Sequence, residues 1–300
     1  MNWQELKTSI EFGDIKSLAR AITGVENDMD GYFTFLKSLD IKHNIPIIGI
    51  TGPPGAGKST LVNALLKEYS ALQKKVGVIA IDPTSPFHYG SLLGDRIRMV
   101  EHFTNPNVYI RSLATRGSLG GLSAKTIEIT DVMRSFPFDV IIVETVGVGQ
   151  SEVEIVGLAD TTVLVLVPES GDEIQGIKSG VMEIADIFVV NKSDREGAEL
   201  FVSNLKKMLH EKSQEDNFAL VVKTIASENV GTMELMDALK FKEQHHQIKN
   251  KKGLLLAEKA FRLIQTEKMK NINKKELIEL IEKEKVSADF NLYKTIEKYF

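Results

Sequence analysis

The stretch Gly52-Pro53-Pro54-Gly55-Ala56-Gly57-Lys58-Ser59 constrains this chain more than any other, because it fits G-x-x-x-x-G-K-[ST] between a strand and a helix. Ahead of it runs the β-branched segment IPIIGIT, and behind it STLVNALLKEYSALQ places apolar residues at helical spacing. Glycines in such a loop reach backbone conformations that turn several N–H groups inward onto an anion. The helix that follows directs its positive end to the same point. Lys58 can reach β- and γ-phosphates, and the Ser59 hydroxyl is a ligand for Mg²⁺. Gly52, Pro54, Gly55, Ala56, Gly57, Lys58, Ser59 and Thr60 are the expected cradle of a nucleoside triphosphate.

Strand and helix signals alternate on both sides of that loop. Short, continuous apolar runs stand at 45–50, 76–81, 108–110, 140–143, 162–167, 187–190 and 220–222, as in strands covered on both faces. Amphipathic stretches separate them, so the expected fold is α/β, a P-loop NTPase with a mostly parallel central sheet. The flanks carry no good strand. Residues 1–44 read as an N-terminal helical extension with helices near 14–22 and 28–40, 45–240 as the P-loop domain, and 241–300 as a C-terminal helical extension.

Composition narrows the chemistry. Cysteine is absent from all 300 residues, which excludes disulfide frameworks, thiolate metal sites and cysteine nucleophiles. No apolar run approaches the length of a membrane span, and the opening MNWQELKTSIEFGD has neither a basic nor an apolar leader region, so a cytoplasmic address is expected. From Lys240 onward 15 Lys and Arg face 9 Asp and Glu, while the whole chain carries -4. Lys and Glu alternate in KKELIELIEKEKV, which reads as a solvated helical surface rather than a nucleic-acid arm. The six histidines show no ligand spacing, and no metal besides Mg²⁺ is expected.

Asn191-Lys192-Ser193-Asp194 follows the apolar run DIFVV and selects a base. A carboxylate at Asp194 can accept from both the ring N1–H and the 2-amino group of guanine. Against adenine it would be left desolvated and unpaired. The Lys192 stem can cover the ring, Asn191 can tie this loop to the phosphate loop, and Thr224-Ile225-Ala226-Ser227 stands where backbone can meet the guanine oxygen. GTP is therefore expected over ATP.

Acids at the carboxyl ends of parallel strands converge on one crevice. Glu144 ends FDVIIVE ahead of Gly147, whose N–H stands where the γ-phosphate is sensed; Asp82 ends VGVIAID, and Asp95 lies in GDRIRM. Ser59, Asp82, Asp95 and Glu144 are candidate metal ligands, and Lys58, Asp82, Asp95 and Glu144 candidate catalytic groups. Val148 occupies the position of the water-orienting glutamine and cannot polarise water, so slow intrinsic hydrolysis is expected, or hydrolysis aided by one of these acids or Gln150. Arg96, Arg98, Arg111 and Arg116 are candidate cations for transition-state charge, although an arginine at each of these places reads first as a surface or structural one.

After GPPGAGKST come, in order, DPTSP, GDRIRM, IRSLATRGSLGGLS, ETVGVGQSE, SGDEIQGIKSG and NKSD. In this series the chain resembles the MeaB/ArgK GTPases, chaperones of methylmalonyl-CoA mutase in the metallochaperone-related branch of P-loop GTPases. The resemblance covers about residues 15–240. It implies a GTPase that accompanies an adenosylcobalamin-dependent acyl-CoA mutase and gates loading and protection of its cobalamin. It also implies that Asp82 and Asp95 fall in a first switch, 144–152 in a second, and 171–180 in a third loop read by the mutase. The helical extensions would form a homodimer. The family's ArgK name brings one alternative, a kinase acting on an amino-acid transport protein. A nucleic-acid-associated GTPase using the basic tail is another, though no aromatic platform or Arg-rich stripe supports it.

Overall fold

The computed structural model describes residues 1–82, 99–114, 125–145, 151–171, 185–212, 220–245, 251–287 and 290–299. Seven strands form one sheet: β1 (Ile47–Thr51), β2 (Val76–Asp82), β3 (Val108–Ala114), β4 (Val140–Glu144), β5 (Thr161–Leu166), β6 (Ile187–Asn191) and β7 (Leu220–Thr224). Their order is β3-β2-β4-β1-β5-β6-β7, and every neighbouring pair is parallel. Each of the seven apolar runs expected from sequence lies on one of these strands. The reason is burial on both faces: β1, β4, β5 and β6 are buried at every residue.

The alternation of side chains sorts the core into two layers. On one face Ile47, Ile79, Ile141 and Val143 meet α2 (Ile15–Glu26), α5 (Thr126–Arg134) and α6 (Ser151–Leu158). Leu164, Leu166, Phe188 and Val190, of the same face, meet α7 (Ala198–Lys212). On the other face Ile48, Ile50, Val163 and Val189 pack with Leu61, Leu65 and Leu235 from α4 (Lys58–Ala71) and α8 (Thr232–Gln244).

Ahead of the sheet stand three helices rather than the expected two: α1 (Trp3–Glu11), α2 and α3 (Tyr32–Ser38). Asn2 and Asp14 cap α1 and α2 by accepting from Glu5 N and Ser17 N. Leu6, Ile10, Leu18, Ile22, Val25 and Phe35 bury against the sheet-covering layer, so these helices complete the core. Backbone contacts divide the chain into two compact units, Met1–Gln247 and Ile248–Phe300. The second holds α9 (Lys251–Met269), α10 (Lys274–Glu284) and α11 (Leu292–Ile296). Within it Thr295 Oγ1 donates to Glu284 Oε2 at 2.5 Å, joining α11 to α10. No helix among the described residues is long and apolar enough to cross a membrane.

At the amino edge of the sheet, acids hold the strand starts. Asp160 Oδ2 accepts from Ile47 N at 2.9 Å and from Arg134 Nη2 at 2.6 Å. Asp186 accepts from Thr162 N, and Asp139 from Lys75 N. The opposite edge is thereby left as the one where acids, loops and the phosphate loop gather.

Candidate functional site

The phosphate loop leaves β1 at Thr51 and enters α4 at Lys58. Its turn needs glycine at two places. At Gly52, with φ +143, a Cβ would fall 2.1 Å from Val165 O; at Gly57, with φ +88, it would fall 2.4 Å from Asn191 Nδ2. Both glycines let another segment come close. Lys58 is buried, and its Nζ donates back to Gly52 O at 2.9 Å and Pro53 O at 3.1 Å, which arches the ammonium over the loop.

Ser59, one residue on, is buried in the first turn of α4, and its Oγ donates to Glu144 Oε1 at 2.6 Å. Glu144 lies at the carboxyl end of β4, opposite Ile50 of β1 and Ala80 of β2. The backbone of Asp82 ends β2 two residues beyond Ala80, opposite Ala114 of β3. Thus Ser59 and Glu144 are in contact, and Asp82 sits on the same edge one strand over. Thr145, after Glu144, is tied to β1: its N donates to Ile50 O at 3.0 Å and its Oγ1 to Thr51 Oγ1 at 2.9 Å.

Asn191 ends β6 fully buried and makes contacts on both sides. Its Nδ2 donates to Ala56 O of the phosphate loop at 2.8 Å, and its Oδ1 accepts from Thr224 Oγ1 and Ala226 N, each at 3.1 Å. One side chain thus binds the segments after β1, β6 and β7. Lys192 takes a left-handed conformation, φ 56, and its Nζ donates to Gly55 O at 2.8 Å. Asp194 and Ser227 are exposed at the rim, Ser227 in the turn Ala226–Glu228. Arg195 forms an ion pair with Glu169, which stands in the turn Pro168–Gly171 after β5. The hydroxyl of Thr224 and the Glu169–Arg195 pair escape a motif reading, although Arg195 directly follows NKSD.

Arg111 takes the structural reading and leaves the set of candidate cations. It lies in the middle of β3, opposite Ile79, and pairs with Glu26 of α2 on the helix-covered face, so it braces the N-terminal helices rather than the phosphate crevice. Asp95, Gly147, Val148, Gln150, Arg96, Arg98 and Arg116 lie outside the described residues.

The donors at the foot of the loop suit magnesium. That ion takes oxygen ligands, one or two from protein and the rest from phosphates and water. The Ser59 hydroxyl and the Glu144 carboxylate, in contact beside Lys58, are donors of that kind.

Comparison with known proteins gives the family. Residues 18–286 match the family described as Methylmalonyl Co-A mutase-associated GTPase MeaB. A putative GTPase of Pyrococcus abyssi is 51% identical over 256 residues, 84% of this chain and 78% of that protein. The mouse methylmalonic aciduria type A homolog, a mitochondrial protein, is 46% identical over 147 residues, 49% of this chain and 35% of that one. Among solved structures, a LAO/AO transport system kinase superposes with TM-score 0.69 at 22% identity, covering 99% of this chain and 96% of its own. HypB from Helicobacter pylori, in complex with nickel, gives TM-score 0.52 at 17% identity, over 78% of this chain and 99% of its own. At such identities these two show the fold alone. The phosphate loop between β1 and α4, the Asn191 tie and a family match over most of the length lead to one conclusion: the chain is a P-loop GTPase and belongs to the MeaB family of methylmalonyl-CoA mutase-associated GTPases.

Proposed function

We propose that this GTPase is a switch that binds an adenosylcobalamin-dependent acyl-CoA mutase, of the methylmalonyl-CoA mutase type, and gates the loading and protection of its cobalamin. The observation that carries this reading is the family match over residues 18–286. GTP is held by the loop 52–60, with Lys58 on the β- and γ-phosphates and Asp194 on the base. Ser59 and Glu144 would hold Mg²⁺, with Asp82 and Asp95 as further ligands. That ion, when bound, neutralises charge between the phosphates.

The rest is work for the protein's own side chains. Glu144 touches Ser59 and stands at the mouth of the 146–150 connection, with Thr145 fastened to β1 behind it. A change at the γ-phosphate that alters the Ser59–Glu144 contact therefore acts on the chain just ahead of Gly147. Segments ordered by a γ-phosphate are what partners of such switches read. Val148 in place of a glutamine fits slow hydrolysis that a partner accelerates. The C-terminal unit serves as the arm of a homodimer, and the protein works in the cytoplasm.

The test is a titration of adenosylcobalamin-dependent acyl-CoA mutases into the GTPase. The correct mutase raises the rate of phosphate release and forms a complex on a sizing column. No acceleration and no complex with any of them overturns the switch reading. γ-Labelled GTP separates a kinase in the same assay, since a kinase labels an acceptor protein where a switch releases free phosphate.

A further inference from the structure

The loop that carries Asp194 is held towards the phosphate loop and towards β7 by residues of the Asn-Lys-x-Asp motif, and towards β5 by a residue outside it. Strands β5, β6 and β7 run parallel, with Leu166 opposite Val190 and Asn191 opposite Thr224, so the segments leaving them stand side by side. Towards β7 the hold is through Asn191 Oδ1 and through Ser193 N, which donates to Thr224 O at 3.1 Å. Towards β5 it is the ion pair of Arg195 with Glu169. Arg195 N also donates to Lys192 O at 3.1 Å, closing the turn in which Lys192 adopts positive φ. The hydrogen bond from Arg195 holds the Glu169 carboxyl below its usual range, helped by the Glu169 backbone and the charge of Lys192.

We propose that the Arg195–Glu169 pair positions the guanine-reading loop, so that Arg195 and Glu169 determine base specificity without touching the base. The inference rests on Asp194 as the guanine acceptor. Asp194 is exposed and lies between the turn at Lys192 and the anchor at Arg195. A carboxylate that must meet N1–H and the 2-amino group together needs its plane fixed in the plane of the base. Fixing it beforehand spares that ordering at the moment of binding. The pair is half-exposed on both sides, so its share in folding is small and its role lies in geometry.

The test compares GTP, inosine triphosphate and ATP by competition against a fluorescent guanine nucleotide. Inosine keeps N1–H and lacks the 2-amino group, so the GTP-to-ITP ratio reports how well Asp194 is placed. Loss at the phosphates would lower both affinities alike. In Arg195→Met the GTP affinity falls about two- to fivefold, the range of an exposed ion pair, and the GTP-to-ITP ratio narrows. Glu169→Gln acts in the same direction, Arg195→Lys recovers part of the ratio, and the exchange Arg195→Glu with Glu169→Arg restores it. The effect shrinks at 1 M salt, where such a pair is screened. An unchanged ratio in Arg195→Met, with wild-type preference for GTP over ATP intact, overturns the role of the pair alone. Wild-type protein that binds ATP as well as GTP overturns the guanine reading and the proposal with it.

Discussion

Lys58 shows how much a single side chain can hold at the phosphate loop. Its ammonium is buried and bonded to Gly52 O and Pro53 O, so it is already aimed across the loop. Lys58→Ala removes charge-assisted contacts worth about 1.5–3 kcal/mol, and GTP affinity should fall roughly ten- to a hundredfold in an equilibrium titration. Asp194→Asn presents an amide that donates towards the donors of guanine. It should weaken GTP while leaving ATP nearly unchanged, which a competition assay reads directly. At Gly52 a Cβ would collide with Val165 O, so Gly52→Ala should disturb the loop and its affinity together, visible as loss of nucleotide binding with little loss of helix by circular dichroism. Motif residues of this kind are legible because phosphate and base chemistry demand fixed types at fixed spacing. The partners that hold them are less so: nothing in the spacing says that Ser59 touches Glu144, 85 positions away.

At the scale of elements, the strands are legible and the partners of the acids at their ends are not. Asp82 and Glu144 follow their apolar runs and Asp139, Asp160 and Asp186 precede theirs, so the sequence separates two groups of acids without saying what each one holds. Asp160 ties Arg134 to the start of β1, with both side chains largely buried. Asp160→Ala should cost about 3–5 kcal/mol in urea unfolding, since it strands a buried guanidinium. Asp139 gives a pH signature. Burial works to raise its carboxyl, but Lys74 Nζ and Lys75 N outweigh it and the carboxyl sits below its ordinary 3.8. The stabilisation is therefore full above that value and is lost as pH falls through the depressed folded-state value. Thermal melts of Asp139→Asn should differ from wild type at pH 6, and the difference should narrow only as pH falls below 3.8. Helix α1 had a signal, Trp3, Leu6 and Ile10 at helical spacing after the cap Asn2, yet it is only nine residues long and set among polar neighbours. Its two buried side chains acquire meaning only from the surface that they meet.

For the whole molecule, the N-terminal helices are part of the core that supports the GTPase sheet. Leu18, Ile22 and Val25 are fully buried with residues of β1, β2 and β4 in one apolar layer. Leu18→Ala should destabilise the protein by about 2–5 kcal/mol, measured by urea unfolding, and nucleotide affinity below the transition should remain. By itself, the amino-acid order determined the sheet-and-helix class and the P-loop GTPase reading, because burial period and motif spacing are local properties of the chain. Only the tertiary structure decided that Glu144 meets Ser59, that Asn191 joins three segments, and that Arg111 braces a helix. Those facts depend on which strands lie side by side, and a parallel sheet ordered β3-β2-β4-β1-β5-β6-β7 brings together residues that the chain keeps far apart.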